Sequence, residues 1–292
     1  EANRKNYPRA IEYYEKSIDV VPKSSIPIVL AIKKTFYARF LCYYDAIKYE
    51  DKIDSLYTAS HQLFLKNGYD DTRKNDYATL VNFIGIFHLD LGRLDSAKHY
   101  FDNALAINLE LFGENNSATL DNLNNLAVIK LKREKYVEAR KGFKDIWRRA
   151  NEAGIVPSTA IVYYHNYAST FNKLGDYASA EIKFDSLTSY REKYLQNDLV
   201  RLNNARKELA EASIGNEKYE KAEEVLRSII KDHQKSMPDD GEQDIRAYIE
   251  LARIRKLVGD ESAALTIKAE NRNRILKRLS AESEVYTLNE GI

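Results

Sequence analysis

Residues 91–101 read LGRLDSAKHYF, and the phrase returns as REKYVEARKGF at 133–143, LGDYASAEIKF at 174–184 and GNEKYEKAEEVL at 215–226. A fainter copy, VGDESAALTIK at 258–268, keeps the glycine and the alanine and loses both aromatic residues. The shared alanine falls at Ala97, Ala139, Ala180, Ala222 and Ala264, in steps of 42, 41, 42 and 42 residues. A fixed period of this size marks a repeat architecture, in which each unit is a small motif that buries its apolar face only against its neighbours.

Working outward from the alanine, Phe101, Phe143, Phe184 or Leu226 follows four residues later, on the same helical face. Twelve residues earlier stands a small residue, Gly85, Ala127, Ala168, Ala210 or Ala252. A large apolar one immediately precedes it: Ile84, Leu126, Tyr167, Leu209 or Leu251. The spacing predicts two antiparallel helices that approach closely where both present small side chains, with the aromatic filling the wedge beside that contact. A tight turn joins them, assigned to Gly92, Gly175, Gly215 or Gly259, and Tyr136, Tyr177 or Tyr219 covers it.

This pattern resembles the tetratricopeptide repeat: large-x-x-large-small, then Gly-x-Tyr-x-x-Ala, then an aromatic. The usual period of that family is about 34. The extra residues here allow about one more turn per helix, as in the long-period repeats of kinesin light chains and their bacterial relatives. The joint LFGENNSATLDNLNNLA at 111–127 is similar to the one found in that subfamily, with Ser117 near where proline is usual. The resemblance implies an all-α fold, a right-handed superhelix of antiparallel helix pairs, built as one solenoid over residues 1–292. Within it, 1–25 reads as a partial repeat that lacks its first helix and places the start of the native chain upstream. Residues 26–66 read as a degenerate repeat, 76–271 as five clear repeats, and 272–292 as a helical extension and tail. A single charged helix is expected from Ala263 to about Ser283.

Composition narrows the function. Forty-five basic side chains against forty-four acidic ones leave a formal charge of +1, without the basic surplus that nucleic-acid binding draws on. No apolar run reaches the length that spans a bilayer. A lone cysteine, Cys42, cannot form an internal disulfide and reads as a buried thiol. That fits the cytoplasm somewhat better than the periplasm, which a removed upstream signal would allow, and the compartment stays open. The five histidines share no metal-ligand spacing, and His-Glu-x-x-His, Gly-x-Ser-x-Gly and the phosphate-cradling glycine motifs are all missing. Neither a catalytic residue, a metal nor a cofactor is therefore expected. Most of the 21 tyrosines fall in packing or turn-covering slots.

In this repeat type the first helices line the concave face, so a protein or peptide ligand is expected there, held by first-helix positions that the core does not use. Those positions hold Asn82, Asn124, His165, Asn172, Lys173, Asn204, Lys207, Arg246, Ile249 and Arg253. Asparagine is a poor helix former, so its concentration here needs an offset. Its donor and acceptor suit the backbone of an extended peptide; hydrogen bonds between neighbouring first helices are the other reading. The carboxylate clamp of chaperone-binding members is missing from its slots. The basic end of the face, at Lys173, Lys207, Arg246 and Arg253, calls for a peptide that is apolar toward one end and acidic toward the other. Two functions follow: a non-enzymatic peptide-binding scaffold, or the sensory segment of a larger bacterial signalling protein. Self-association is a third arrangement open to the chain.

Overall fold

The computed structural model describes residues 7–20, 27–68, 73–195, 198–236, 243–278 and 284–291. Every regular element among them is an α-helix. The chain divides into two compact units, residues 1–156 and 157–292.

The first unit holds α1 (Tyr7–Asp19), then the pairs α2 (Pro27–Asp45) with α3 (Glu50–Asn67), α4 (Lys74–Asp90) with α5 (Leu94–Phe112), and α6 (Ser117–Lys132) with α7 (Tyr136–Glu152). The second holds α8 (Pro157–Lys173) with α9 (Tyr177–Tyr194), α10 (Leu199–Gly215) with α11 (Tyr219–Ser236), α12 (Gln243–Leu257) with α13 (Glu261–Arg278), and a short α14 (Glu284–Glu290). Of the single helix expected from Ala263 to about Ser283, α13 carries the part up to Arg278, and residues 279–283 lie outside the described residues; α14 packs against α13 and α12.

Packing follows the sequence spacing. Ala97, Ala139, Ala180 and Ala222 are fully buried and Ala264 nearly so; Phe101, Phe143 and Phe184 are fully buried beside them. The small partners Ala127, Ala168, Ala210 and Ala252 are buried as well. At Gly85 the fit leaves no room for a side chain: an added Cβ would stand 2.6 Å from the Phe101 ring. The all-α helix-pair fold that the small residues predict is the one observed.

The turns within the five clear repeats close in the same way. The residue after the turn donates its N–H to the carbonyl five places back: Arg93 to His88, Lys135 to Lys130, Asp176 to Phe171, Lys218 to Ser213 and Asp260 to Arg255, each at 2.8–2.9 Å. That closure needs a left-handed residue just before the donor. The slot holds Gly92, Glu134, Gly175, Glu217 and Gly259, at φ of 72°, 60°, 72°, 59° and 81°. The turn assigned to Gly215 is thus corrected. Glu217 takes the left-handed position, while Gly215 ends α10 and makes room for the Tyr177 ring, 2.3 Å from where a Cβ would sit.

Candidate functional site

In the first unit the asparagines join helices. Asn82 of α4 accepts through Oδ1 from Asn122 Nδ2 (2.9 Å) and from Asn125 Nδ2 (3.1 Å) of α6. Asn122 in turn accepts from Asn108 Nδ2 of α5 at 2.6 Å. Asn108 and Asn122 are buried, so each bond spares an amide a desolvation cost that would otherwise go unmet. This network offsets the weak helix propensity of asparagine. Among the described residues nothing accepts from Asn82 Nδ2, which leaves that half-buried amide a donor to spare. Asn124, one helix position from Asn125, is buried.

In the second unit the named residues take three kinds of place. His165 of α8 packs edge-on against Phe184, with ring centroids 5.5 Å apart. Burial, reinforced by the Arg191 charge, pushes its pKa down to about 4, so the ring is neutral at pH 7. Asn172 is buried and ties α8 to α10, donating to the Glu208 carbonyl at 2.9 Å and to Glu208 Oε2 at 3.0 Å. Lys173 is exposed and pairs with Glu211 at 3.3 Å.

The other three converge. Lys207 of α10 and Arg246 and Arg253 of α12 line one cleft of about 280 Å³. Its apolar lining comes from Leu226 and Ile229 of α11 and from Ala247 and Ile249 of α12, all buried. Glu250 is the one carboxylate in the lining, and it accepts from Arg253 Nη1 at 2.9 Å. The neighbouring Arg206 is already engaged by Asp232 (2.5 Å) and Glu192 (2.9 Å). Lys207 is exposed and forms no ion pair among the described residues. The cleft therefore joins a cationic rim to an apolar floor. That combination accepts an anionic group while an apolar neighbour is buried.

Sequence reasoning missed part of this lining. Leu226 and Ile229 belong to a second helix, assigned to packing alone, although Ile229 stands seven residues after Ala222 on the same face. Leu288 reaches the cleft from α14, in a tail for which the repeat pattern makes no prediction. No group of histidine, cysteine and carboxylate side chains among the described residues is arranged to hold a metal. No helix described is long and apolar enough to cross a membrane.

Antiparallel helix pairs nested on small residues, with Gly-type turns at fixed spacing, define the tetratricopeptide class of repeat fold. A tetratricopeptide-repeat family model matches residues 76–150, which hold the pairs α4–α5 and α6–α7. No curated protein matches the chain by sequence. Among solved structures, the chain is similar to the tetratricopeptide-like repeats of a protein of Podosopora anserina assigned as a kinesin light chain. The identity there is 16% and the TM-score 0.59, over 70% of this chain and 97% of that one. It is also similar to a signal-transduction ATPase with numerous domains from Pyrococcus horikoshii that carries a tetratricopeptide-repeat sensor. That match has 14% identity and a TM-score of 0.69, over 90% of this chain and 39% of that one. A third is a Rap protein complexed with Competence and Sporulation Factor, at 9% identity and a TM-score of 0.67, over 94% of this chain and 72% of that one. These likenesses are likenesses of fold.

Proposed function

We propose that the chain is a non-enzymatic scaffold that binds a protein or peptide, and that the cleft between α10, α11 and α12 is its principal seat. The observation that carries this reading is the convergence of Lys207, Arg246 and Arg253 on one apolar-floored cleft. The ligand is an acidic segment with an apolar side chain: its carboxylates meet the rim and its apolar group covers Ile229 and Ile249. Lys173, at the end of α8, adds to the basic character of the same unit, and His165 and Asn172 support the helices that present it. In the first unit, Asn82 is the proposed polar contact, through its spare amide donor, and Asn124, being buried, supports the helix beside it. The Rap protein complexed with Competence and Sporulation Factor is a precedent, on a similar fold, for occupation by a partner.

Selection from a random peptide display library against the intact chain tests this. The account expects enriched sequences to combine acidic with apolar residues and to bind Arg246→Glu with Arg253→Glu at least tenfold more weakly. Enrichment of basic peptides, or binding indifferent to both substitutions, would refute it. A second reading, the sensory segment of a larger signalling protein, draws on the Pyrococcus horikoshii structure, of which a similar array is 39%. It uses the same cleft, with the bound segment as signal.

A further inference from the structure

The slot three residues after the repeat alanine holds Tyr100, Gly142, Lys183, Val225 and Ile267 in turn. Tyr100 stacks on His88 of α4 with ring centroids 5.4 Å apart. Lys183 places its ammonium 5.3 Å from the Tyr167 ring and 4.7 Å from the Phe171 ring of α8. Val225 and Ile267 pack into the apolar cluster of α10, α11 and α12. Gly142 contributes no side chain, and a cavity of about 420 Å³ opens there between α5, α6 and α7. The fold does not call for this glycine. It stands inside α7, where glycine costs helix stability against alanine, and its backbone is not left-handed. A Cβ would meet only the Ala127 methyl, at an ordinary 3.5 Å, unlike the clash at Gly85.

The missing side chain uncovers an apolar floor with a cation beside it. Leu123 and Leu126 of α6 line the cavity and are half-buried. Leu126 holds the register of Tyr167, one place before the small residue, and Lys130 that of Phe171, three places after it. In the pair α8–α9, then, a lysine of the second helix covers rings of the first. In α6–α7 the lysine stands on the first helix and the ring is missing. Several charges around the cavity are matched: Lys98 by Asp102 at 2.6 Å, Arg149 by Asp145 at 3.5 Å, and Arg133 by Asp95. Lys130, Lys135 and Glu138 are exposed, and their side chains form no hydrogen bond or ion pair among the described residues, which leaves a cation in excess.

We infer that this notch receives an aromatic side chain of a partner peptide, flanked there by carboxylates. The ring takes the place that Tyr100 fills in the preceding repeat. It covers Leu123 and Leu126 and presents its face to the Lys130 ammonium, while a neighbouring carboxylate meets Lys135. The notch lies in the first unit and the basic cleft in the second, so either can fail without the other.

The test is an NMR titration of the full chain that follows the methyl signals of Leu123 and Leu126. The probes are the capped tripeptides Glu-Tyr-Glu, Glu-cyclohexylalanine-Glu and Lys-Tyr-Lys. Glu-Tyr-Glu should shift both leucines with a dissociation constant on the order of 1 mM. Loss of the aromatic face in cyclohexylalanine should weaken binding about threefold, and the flanking lysines about tenfold. Gly142→Tyr fills the notch from within and should raise the melting temperature while abolishing binding. Gly142→Ala should also raise it and bind as the parent does. Lys130→Ala, a change at an exposed position, should erase the advantage of tyrosine over cyclohexylalanine. No shift at either leucine, full binding by Gly142→Tyr, unchanged selectivity in Lys130→Ala, or an equal response to Glu-Tyr-Glu and Lys-Tyr-Lys would overturn the inference. Shifts of the same methyls with protein concentration alone would assign the notch to a second copy of the chain and overturn it as well.

Discussion

Glu134 and Glu217 occupy a left-handed backbone position that glycine fills in the three other repeats. A side chain with a Cβ costs about 1 kcal/mol or more there. Glu134→Gly and Glu217→Gly are each expected to raise unfolding stability by about 1 kcal/mol, read by urea denaturation. A loss of stability in both would contradict the turn geometry. Gly85 presents the converse case. Alanine there gains about 1 kcal/mol in helix propensity, but its Cβ would meet the ring of the fully buried Phe101. Overpacking of that kind costs about 1–3 kcal/mol, so Gly85→Ala is expected to destabilise despite the better helix former. The two slots show what a repeat phrase carries. The requirement at Gly92 was legible because glycine marks it; the same requirement at Glu134 and Glu217 was not, because nothing in a glutamate announces a positive φ.

Between elements, the second unit is tied by charge as well as by apolar packing. Glu181 of α9 is buried and accepts from Asn216 at 2.6 Å, Lys218 at 3.0 Å and Lys221 at 2.7 Å. Burial alone would raise its pKa. The hydrogen bonds from Lys221, Lys218 and Asn216 outweigh that and hold the carboxyl at about 2. A carboxylate held below its unfolded value stabilises the fold in full above about pH 4.5, and this is lost as the pH falls toward 2. The contribution is no more than about 3 kcal/mol, since Lys218 is largely solvated. Glu181→Gln should therefore be less stable than the parent at pH 7, with the gap closing through that acid window in a pH series of melts. His165 works in a neighbouring window. Its folded value near 4 lies below the ordinary 6.5, so the unfolded chain binds the proton more readily. Stability is full above pH 6.5, declines to about pH 4 and is flat in this respect below it. His165→Gln should flatten that slope, and an unchanged slope would place the titration elsewhere. Sequence position put His165 on a first helix but could not show that Phe184 and Arg191 surround it, because those neighbours come from another element.

At the scale of the molecule, the repeat phrase made the helix pairs and their core legible: Ala97, Ala139, Ala180 and Ala222 all face inward. The site was legible only in part. Lys207, Arg246 and Arg253 stand at first-helix positions counted back from the repeat alanines and were proposed that way, whereas Leu226, Ile229 and Leu288 enter the cleft through contacts between elements. Asn82 could be read either as a ligand contact or as a link between helices; its Oδ1 makes the link to Asn122 and Asn125, and its amide donor is the part proposed for a ligand. The functional claim rests on the cleft's charge, and a charge swap tests it most directly. Take an acidic–apolar peptide selected on the parent chain and measure its binding by calorimetry to the parent and to the Arg246→Glu, Arg253→Glu double variant. Then repeat with the peptide's acidic residues replaced by lysine. The account predicts at least tenfold weaker binding of the acidic peptide to the variant and recovery with the lysine peptide. Equal binding of the acidic peptide to both proteins, or a lysine peptide that does not recover it, would contradict the account.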